Sequence, residues 1–141
     1  MSLGDLYHKD VLRLAATAVG AKRLGAPDTT VVRVNPICGD KITLDVQRDG
    51  TRVRALGYEV KACVLCQASA SILGAAAAGA TLANLETLAD ALRVMLSGKA
   101  PALPEPFTDY MAMQPVAAHR SRHACVFLPL EALLEALETA D

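Results

Sequence analysis

A strictly alternating run followed by a tight turn constrains the fold of this sequence more than any other feature. Residues 41–47 alternate polar and apolar side chains, which is typical of a strand with one buried face. The apolar positions are Ile42, Leu44 and Val46, and the opposite face carries Lys41, Thr43, Asp45 and Gln47. Arg48-Asp-Gly50 then supplies the left-handed conformations of a hairpin turn, and residues 51–61 return as a second strand. The segment predicts an antiparallel hairpin with one face in the core.

The rest of the chain predicts one more strand and several helices. The β-branched run Thr30–Val34 adds a third strand before the hairpin. Apolar residues at helical spacing predict helices over residues 5–19, 62–78, 81–96 and 129–139. Asp5 is expected as the cap or a first-turn anion of the first helix, Thr81 as the cap of the third, and Pro129 in the first turn of the last helix. The sequence therefore predicts an α+β fold with a small three-stranded antiparallel sheet and helices packed on one face. Residues 1–141 are expected to form a single domain.

Composition and charge exclude several classes of protein. The net charge of −1 gives no basic surface for nucleic acid or anionic membranes. No charge occurs between Lys61 and Glu86, but small residues dominate that stretch, which favours a buried helix over a membrane span. Four cysteines among 141 residues are too few for a disulfide scaffold, and the first 14 residues carry too many charges for a signal peptide. We expect a reducing cytoplasm, where thiols indicate metal or sulfur chemistry.

Three cysteines and one aspartate fall at the ends of predicted elements. Cys38 and Asp40 lie in the loop between the first two strands, Cys63 lies at a strand-to-helix junction, and Cys125 precedes the last predicted helix. Three thiolates and one carboxylate suit a tetrahedral zinc or iron site. Taken singly, each cysteine is more often a small buried apolar residue and Asp40 more often a turn residue. Their joint placement favours a shared site.

Other side chains near this site leave alternatives open. Cys63, at a helix N-terminus, is favoured as a thiolate. Cys66 lies one turn later and is either a core-facing residue, a substitute ligand or a resolving thiol. His123 is an alternative ligand to Asp40, whereas His8 and His119 are expected on the surface.

Three motifs resemble those of a known family. They are Asn35-Pro-x-Cys-Gly-Asp40, Ala62-Cys-x-x-Cys-Gln-Ala-Ser-Ala-Ser71, and Arg122-His-Ala-Cys125 followed by a leucine-rich helix. In this order and spacing they resemble the IscU/SufU/NifU N-terminal scaffold family of iron–sulfur cluster assembly. The long stretch between Gly79 and Cys125 resembles the SufU branch. Ala124 stands where the IscU branch has a histidine, and residues 114–117 do not match that branch's chaperone-binding motif.

The resemblance implies a fold, a site and a function. It implies a zinc site formed by Cys38, Asp40, Cys63 and Cys125, with the same four residues able to hold a transient iron–sulfur cluster. Such proteins accept persulfide sulfur from a SufS-like cysteine desulfurase and serve downstream iron–sulfur apoproteins or carriers. The protein is then at most a zinc-dependent sulfurtransferase acting with the desulfurase, and otherwise a sulfur carrier or cluster scaffold. Two departures are the replacement of the family's basic segment by residues 15–23 and the presence of Cys66, where serine is frequent.

Two further roles follow from charge and position. Four negative ligands exceed the charge of one zinc ion, so the site needs a nearby cation, and Arg122 is the candidate. Cys125 is expected to be the persulfide acceptor because it lies on the most loop-like connection.

Two competing functions use the same residues differently. The Cys63-x-x-Cys66 pair is also typical of a thiol–disulfide oxidoreductase, although an antiparallel hairpin precedes it and no βαβ unit does. A purely structural zinc module is the second alternative, although structural sites favour cysteine and histidine over a carboxylate.

Overall fold

The computed structural model of the protein describes residues 8–138. In chain order the elements are α1 (Lys9–Thr17), β1 (Thr29–Val34), β2 (Lys41–Asp49), β3 (Arg52–Lys61), α2 (Val64–Ala76), α3 (Leu82–Leu96) and α4 (His123–Glu138). Two 3-10 segments, Thr108–Ala118 and Arg120–Arg122, connect α3 to α4. The predicted α+β class is confirmed. Within the described residues, no helix combines the length and the apolar character needed to cross a bilayer.

The sheet has the order β1-β2-β3 with both pairings antiparallel. Gly50 is left-handed, with φ of 61°, but Asp49 stays in β2, so the turn lies at Gly50 and Thr51 and not at the predicted Asp49 and Gly50. At the other end of the sheet, Lys41 pairs with both Val34 and Lys61. The loop that follows β1 and the junction that follows β3 therefore lie side by side at one end of the sheet.

The core forms between one face of the sheet and the helices. Ile42, Leu44 and Val46 are buried on this face as predicted, and α4 packs across β1 and β2. The uncharged α2 packs against α1 and α4, with its residues from Leu65 to Leu73 mostly buried. The small residues of α2 permit a very close approach, since an added Cβ at Gly74 would lie 1.9 Å from the carbonyl oxygen of Val19. The expectation of a buried helix in the uncharged stretch is confirmed.

The opposite face of β2 differs from the prediction at Asp45, which is fully buried. The segment between α1 and β1 covers this residue. Arg23 donates to its carboxylate at 2.6 and 3.1 Å, the Thr30 hydroxyl at 2.6 Å and the Leu24 amide at 3.0 Å. Burial alone would raise the pKa of Asp45, but these hydrogen bonds outweigh it and hold the pKa below its ordinary value.

Helix α1 begins later and ends earlier than predicted. Asp5 lies outside the described residues, and His8 is the N-cap, with its Nδ1 accepting from the Asp10 amide at 3.2 Å. Its Nε2 donates to the Ala112 carbonyl at 2.8 Å, so His8 is a half-buried bridge and the surface assignment is wrong. The helix ends at Thr17, followed by Ala18 with φ of 46°.

Helix α4 begins six residues before the predicted start, because Cys125, Val126 and Leu128 continue its buried face. Pro129 therefore lies inside the helix and not in its first turn. Because proline has no amide hydrogen, the carbonyl of Cys125 loses its intrahelical donor. The cap of α3 is as predicted, with Thr81 and Asn84 forming a reciprocal capping box.

Candidate metal and sulfur site

The loop that carries Cys38 has a defined shape. The Asn35 amide donates to the carbonyl of Asp40 at 2.8 Å, and the Gly39 amide donates to the carbonyl of Asn35 at 2.8 Å. The Asn35 side chain accepts from the Ile37 amide at 3.1 Å, and Gly39 has φ of 76°. This turn leaves the Cys38 side chain exposed. It also turns Asp40 inward, with 4% of its surface exposed.

The predicted ligand residues come together at this end of the sheet. Ligand atoms of Cys38, Asp40 and Cys125 all lie within 4.8 Å of one another. Asp40 accepts a hydrogen bond from the Cys63 amide at 3.1 Å, and its other oxygen lies 3.5 Å from the Cys63 sulfur. Cys125 also lies close enough to Cys63 for the two thiols to shift each other's pKa. The structure therefore groups three of the four predicted ligands, Cys38, Asp40 and Cys125, and the fourth, Cys63, lies beside them in contact with Asp40.

Cys125 joins this group from a different position than predicted. It lies in the first turn of α4 and is fully buried, so the expectation that it lies on a loop is wrong. Cys63 is the N-cap of α2 and is half-buried. The three thiols thus differ in exposure, from Cys38 at the surface to Cys125 in the interior.

The pKa values of the Cys63 and Cys125 thiols move in opposite directions. The interaction with the Cys125 thiol lowers the pKa of Cys63, and burial opposes this shift. The backbone amides of Cys66 and Leu65 lower the pKa further, although the Cys63 side chain forms no capping hydrogen bond. The same interaction raises the pKa of Cys125, and burial and the Asp40 carboxylate raise it further. Without a metal, Cys63 therefore loses its proton at lower pH than Cys125 does.

The donor set fits zinc. Zinc takes thiolate sulfur at about 2.3 Å and carboxylate oxygen at about 2.0–2.2 Å, so its four donor atoms lie within roughly 4 Å of one another. The 4.8 Å spread of Cys38, Asp40 and Cys125 is close to this value. Asp40 uses one oxygen on a backbone amide and keeps the other facing the sulfurs. Cys38, Asp40 and Cys125 therefore present three donors at a spacing close to that of a zinc site.

Cys66 lies beneath this group. It is fully buried in the hydrophobic core, as expected for a core-facing residue. Burial raises the pKa of its thiol, and the charges of Asp40, Cys63 and Cys38 raise it further. Its sulfur therefore stays protonated next to the site.

The remaining predicted residues lie on the connection into α4. The Nε2 of His123 donates to the carbonyl of Val116 at 3.0 Å, so this nitrogen is not free to bind a metal. His119 is half-buried, and its Nε2 has no hydrogen-bond partner in the described part of the chain, so the surface assignment of His119 is wrong. Arg122 is half-buried at the end of the second 3-10 segment, and its guanidinium forms no ion pair within residues 8–138.

Sequence analysis missed the residues that hold Cys125 in place. The Ser69 hydroxyl donates to the Val126 carbonyl at 2.7 Å and lies 2.8 Å from the Tyr110 hydroxyl. All of these atoms are buried, so α2 fixes the first turn of α4 directly. A serine inside an otherwise apolar, small-residue helix is the only signal that the sequence offered for this contact.

Comparison with known proteins decides the family. The profile of the NifU-like N terminal domain matches residues 6–124, most of the chain. The chain belongs to this family. Its resemblance to the IscU/SufU/NifU proteins is thereby confirmed.

Two curated relatives come from different branches. The chain is 31% identical over 107 residues to the zinc-dependent sulfurtransferase SufU of Bacillus subtilis, covering 75% of this chain and 73% of that protein. It is 28% identical over 104 residues to the iron-sulfur cluster assembly scaffold protein IscU of Streptococcus pyogenes, covering 74% of this chain and 65% of that protein.

Solved structures share the fold over nearly the whole chain. The N-terminal NifU-like protein of Brucella abortus superposes with a TM-score of 0.90 at 30% identity, covering 96% of this chain and 94% of the other. The putative SUF-system scaffold of Fervidobacterium islandicum AW-1 superposes with a TM-score of 0.83 at 20% identity, covering 96% and 99%. The small sheet with helices on one face is therefore the fold of this family.

Proposed function

We propose that this protein is a SufU-like component of iron–sulfur cluster assembly that accepts persulfide sulfur from a SufS-like cysteine desulfurase. The convergence of Cys38, Asp40, Cys63 and Cys125 from three separate parts of the chain carries the proposal. The names of the SufU and IscU relatives support it, because one is a zinc-dependent sulfurtransferase and the other a cluster scaffold. Downstream iron–sulfur apoproteins or carriers would receive the product.

Zinc would be held by these same four residues. When bound, it would keep the coordinating thiols deprotonated at neutral pH. Asp40 is oriented for this role by the Cys63 amide and not by the metal. Arg122 is the proposed cation that offsets the excess negative charge of the four ligands. Its guanidinium is not committed to another carboxylate within the described residues.

Exposure decides which thiol first meets the desulfurase. Cys38 lies on the surface next to Ile37, whose side chain is 96% exposed, whereas Cys125 is fully buried. We therefore place sulfur acceptance at Cys38, with Cys125, the acceptor expected from the sequence, as the alternative that the experiment below decides. The Cys38 thiolate attacks the outer sulfur of the desulfurase persulfide, the sulfur–sulfur bond breaks, and the desulfurase cysteine leaves as a thiolate.

The site also suits a cluster as cargo. Thiolates are the usual ligands of iron–sulfur clusters, and a carboxylate is a weaker ligand for them. Asp40 in place of a fourth cysteine would make the cluster easier to transfer. A carrier role and a scaffold role therefore use the same four residues.

The test combines desulfurase stimulation with mapping of the sulfur. The protein is incubated with a SufS-type desulfurase and cysteine, and the peptide that gains one sulfur atom is identified by mass spectrometry. We expect the added sulfur on Cys38 and loss of stimulation in Cys38→Ser, while Asp49→Ala, an exposed variant at the end of β2, behaves as the wild type. Full stimulation in Cys38→Ser with sulfur on Cys125 would move the acceptor to Cys125. A wild type that neither stimulates nor gains sulfur would reject the function.

The two competing functions predict other results. A thiol–disulfide oxidoreductase based on Cys63 and Cys66 would keep disulfide reductase activity after loss of both Cys38 and Cys125. A structural zinc module would unfold when zinc is removed. The large buried core of this protein supports the opposite expectation, loss of sulfur transfer before loss of the fold.

A further inference from the structure

Cys63 and Cys66 occupy the N-cap and third positions of α2. The side chain of an N-cap residue points over the first turn toward the third residue, which is why capping side chains bond the amide found there. The Cys63 side chain forms no capping hydrogen bond in this position, so no amide of the first turn holds its sulfur. The two side chains thus start on the same side of the same turn, with Cys63 half-buried above and Cys66 fully buried below.

We propose that Cys66 is a resolving thiol that reduces a sulfur atom held on Cys63 to sulfide. The inference rests on the proposed function, because that function supplies the persulfide. It gives a task to a buried cysteine that the proposed ligand set does not use.

The chemistry balances without an outside electron donor. Sulfur passes from Cys38 to the Cys63 thiolate by thiolate attack on the outer sulfur, which leaves Cys38 as a thiolate. The Cys66 sulfur then attacks the inner sulfur of the Cys63 persulfide, and the proton of the Cys66 thiol passes to the departing outer sulfur. A Cys63–Cys66 disulfide forms, the outer sulfur leaves as hydrosulfide, and the two electrons come from the thiol pair. A dithiol reductant of the thioredoxin class restores both thiols for the next round.

The arrangement favours this direction of release. Cys63 is half-buried, so a sulfide released from it would have a route to solvent, whereas Cys66 lies in the core. The disulfide would also leave Cys38, Asp40 and Cys125 as a group within 4.8 Å, free to hold the iron that combines with the released sulfide. Sulfide would therefore be produced beside the ligands that use it.

The first arm of the test needs no desulfurase. The metal-free protein is equilibrated in glutathione redox buffers, and its disulfides are mapped by mass spectrometry after alkylation. We expect one intramolecular disulfide, between Cys63 and Cys66, that is absent from Cys66→Ser and Cys66→Ala. A disulfide that joins Cys63 to Cys125 or to Cys38, with Cys66 left reduced, would overturn the proposal.

The second arm measures sulfide without an added reductant. The protein is loaded with sulfur by the desulfurase or, in parallel, by an alkyl hydropersulfide, and is then freed of small molecules under anaerobic conditions. We expect the wild type to release about one sulfide per loaded sulfur and to gain the disulfide, while Cys66→Ser and Cys66→Ala keep the persulfide. Equal release by wild type and both variants would overturn the proposal. Loading by the hydropersulfide but not by the desulfurase would instead reject the proposed function.

Discussion

Asp40 and Cys63 make two contacts across a separation of 23 residues: the Cys63 amide donates to one carboxylate oxygen at 3.1 Å, and the Cys63 sulfur lies 3.5 Å from the other. The first contact fixes the carboxylate against the start of α2. The second directs its free oxygen toward the thiols. The protein itself therefore orients the predicted weak ligand, and the pairing of Lys41 with both Val34 and Lys61 brings the two segments together.

Cys63 should be alkylated at lower pH than an ordinary thiol. In the metal-free protein, the Cys125 hydrogen bond lowers the pKa of Cys63, so the thiolate persists as the pH falls. The midpoint pH of iodoacetamide labelling, followed on the Cys63 peptide, should be higher in Cys125→Ala than in the wild type. Cys66→Ala keeps the backbone amide and is the matched control, which should shift little. An unchanged profile in Cys125→Ala would show that the hydrogen bond does not set this pKa.

Asp45→Asn should destabilise the protein by about 1.5–3 kcal/mol at pH 7, the range for hydrogen bonds to a charged group. The folded-state pKa of Asp45 is lowered, so its contribution is fully present above the unfolded-state pKa of about 3.9 and is lost as the pH falls through the folded value. In urea titrations, the difference in unfolding free energy between wild type and variant should stay constant from pH 7 to pH 5 and shrink below about pH 4.

An exposed aspartate serves as the control for this experiment. Asp49→Asn, at the end of β2, should change the unfolding free energy by less than about 0.5 kcal/mol at any of these pH values. If the difference in unfolding free energy between wild type and Asp45→Asn grows in acid, the sign of the pKa shift is wrong.

Gly74→Ala should destabilise the protein by at least about 3 kcal/mol, at the upper end of overpacking costs. The added Cβ would lie 1.9 Å from the Val19 carbonyl oxygen, a backbone atom that cannot rotate away. Gly25→Ala has open space around the added carbon and should change the stability by less than about 1 kcal/mol. Equal unfolding midpoints for the two variants would show that α2 and the end of α1 are not in close contact.

Ser69→Ala should lower the stability by about 1–3 kcal/mol, because it leaves the Val126 carbonyl and the Tyr110 hydroxyl without their partner. Tyr110→Phe keeps the bond from Ser69 to Val126 and should cost less. Because Val126 follows Cys125, zinc affinity, measured by chelator competition, should fall more in Ser69→Ala than in Tyr110→Phe. The reverse order would exclude Ser69 as the residue that positions Cys125.

The sheet and the placement of three of the four candidate site residues were predictable from local signals. Alternation along β2 and the turn at Gly50 favour the antiparallel hairpin, and the pairing of β2 with both β1 and β3 brings Cys38, Asp40 and Cys63 to one end of the sheet. The burial of Asp45 was not predictable, since the segment that covers it has no regular structure of its own. Its partners Arg23 and Thr30 approach only in the folded chain.

The start of α4 escaped prediction for a related reason. Proline is well tolerated in the first turn of a helix and costly in its interior. The sequence pattern alone therefore favoured a helix that starts at Pro129. Packing of Cys125, Val126 and Leu128 against the core extends the helix toward its N-terminus despite the proline. The fully buried position of Cys125, and with it the case for Cys38 as the acceptor, depends on that tertiary contact.

X-ray absorption of the zinc-loaded protein shows whether Cys38, Asp40, Cys63 and Cys125 bind one zinc ion together. We predict one zinc per chain with three sulfur ligands at about 2.3 Å and one oxygen ligand at about 2.0–2.2 Å. In Asp40→Ala the oxygen from the protein should be lost, the three sulfurs should remain, and zinc affinity should fall at least about tenfold. Four sulfur ligands in the wild type, or fewer than three, would contradict a site formed by Cys38, Asp40, Cys63 and Cys125.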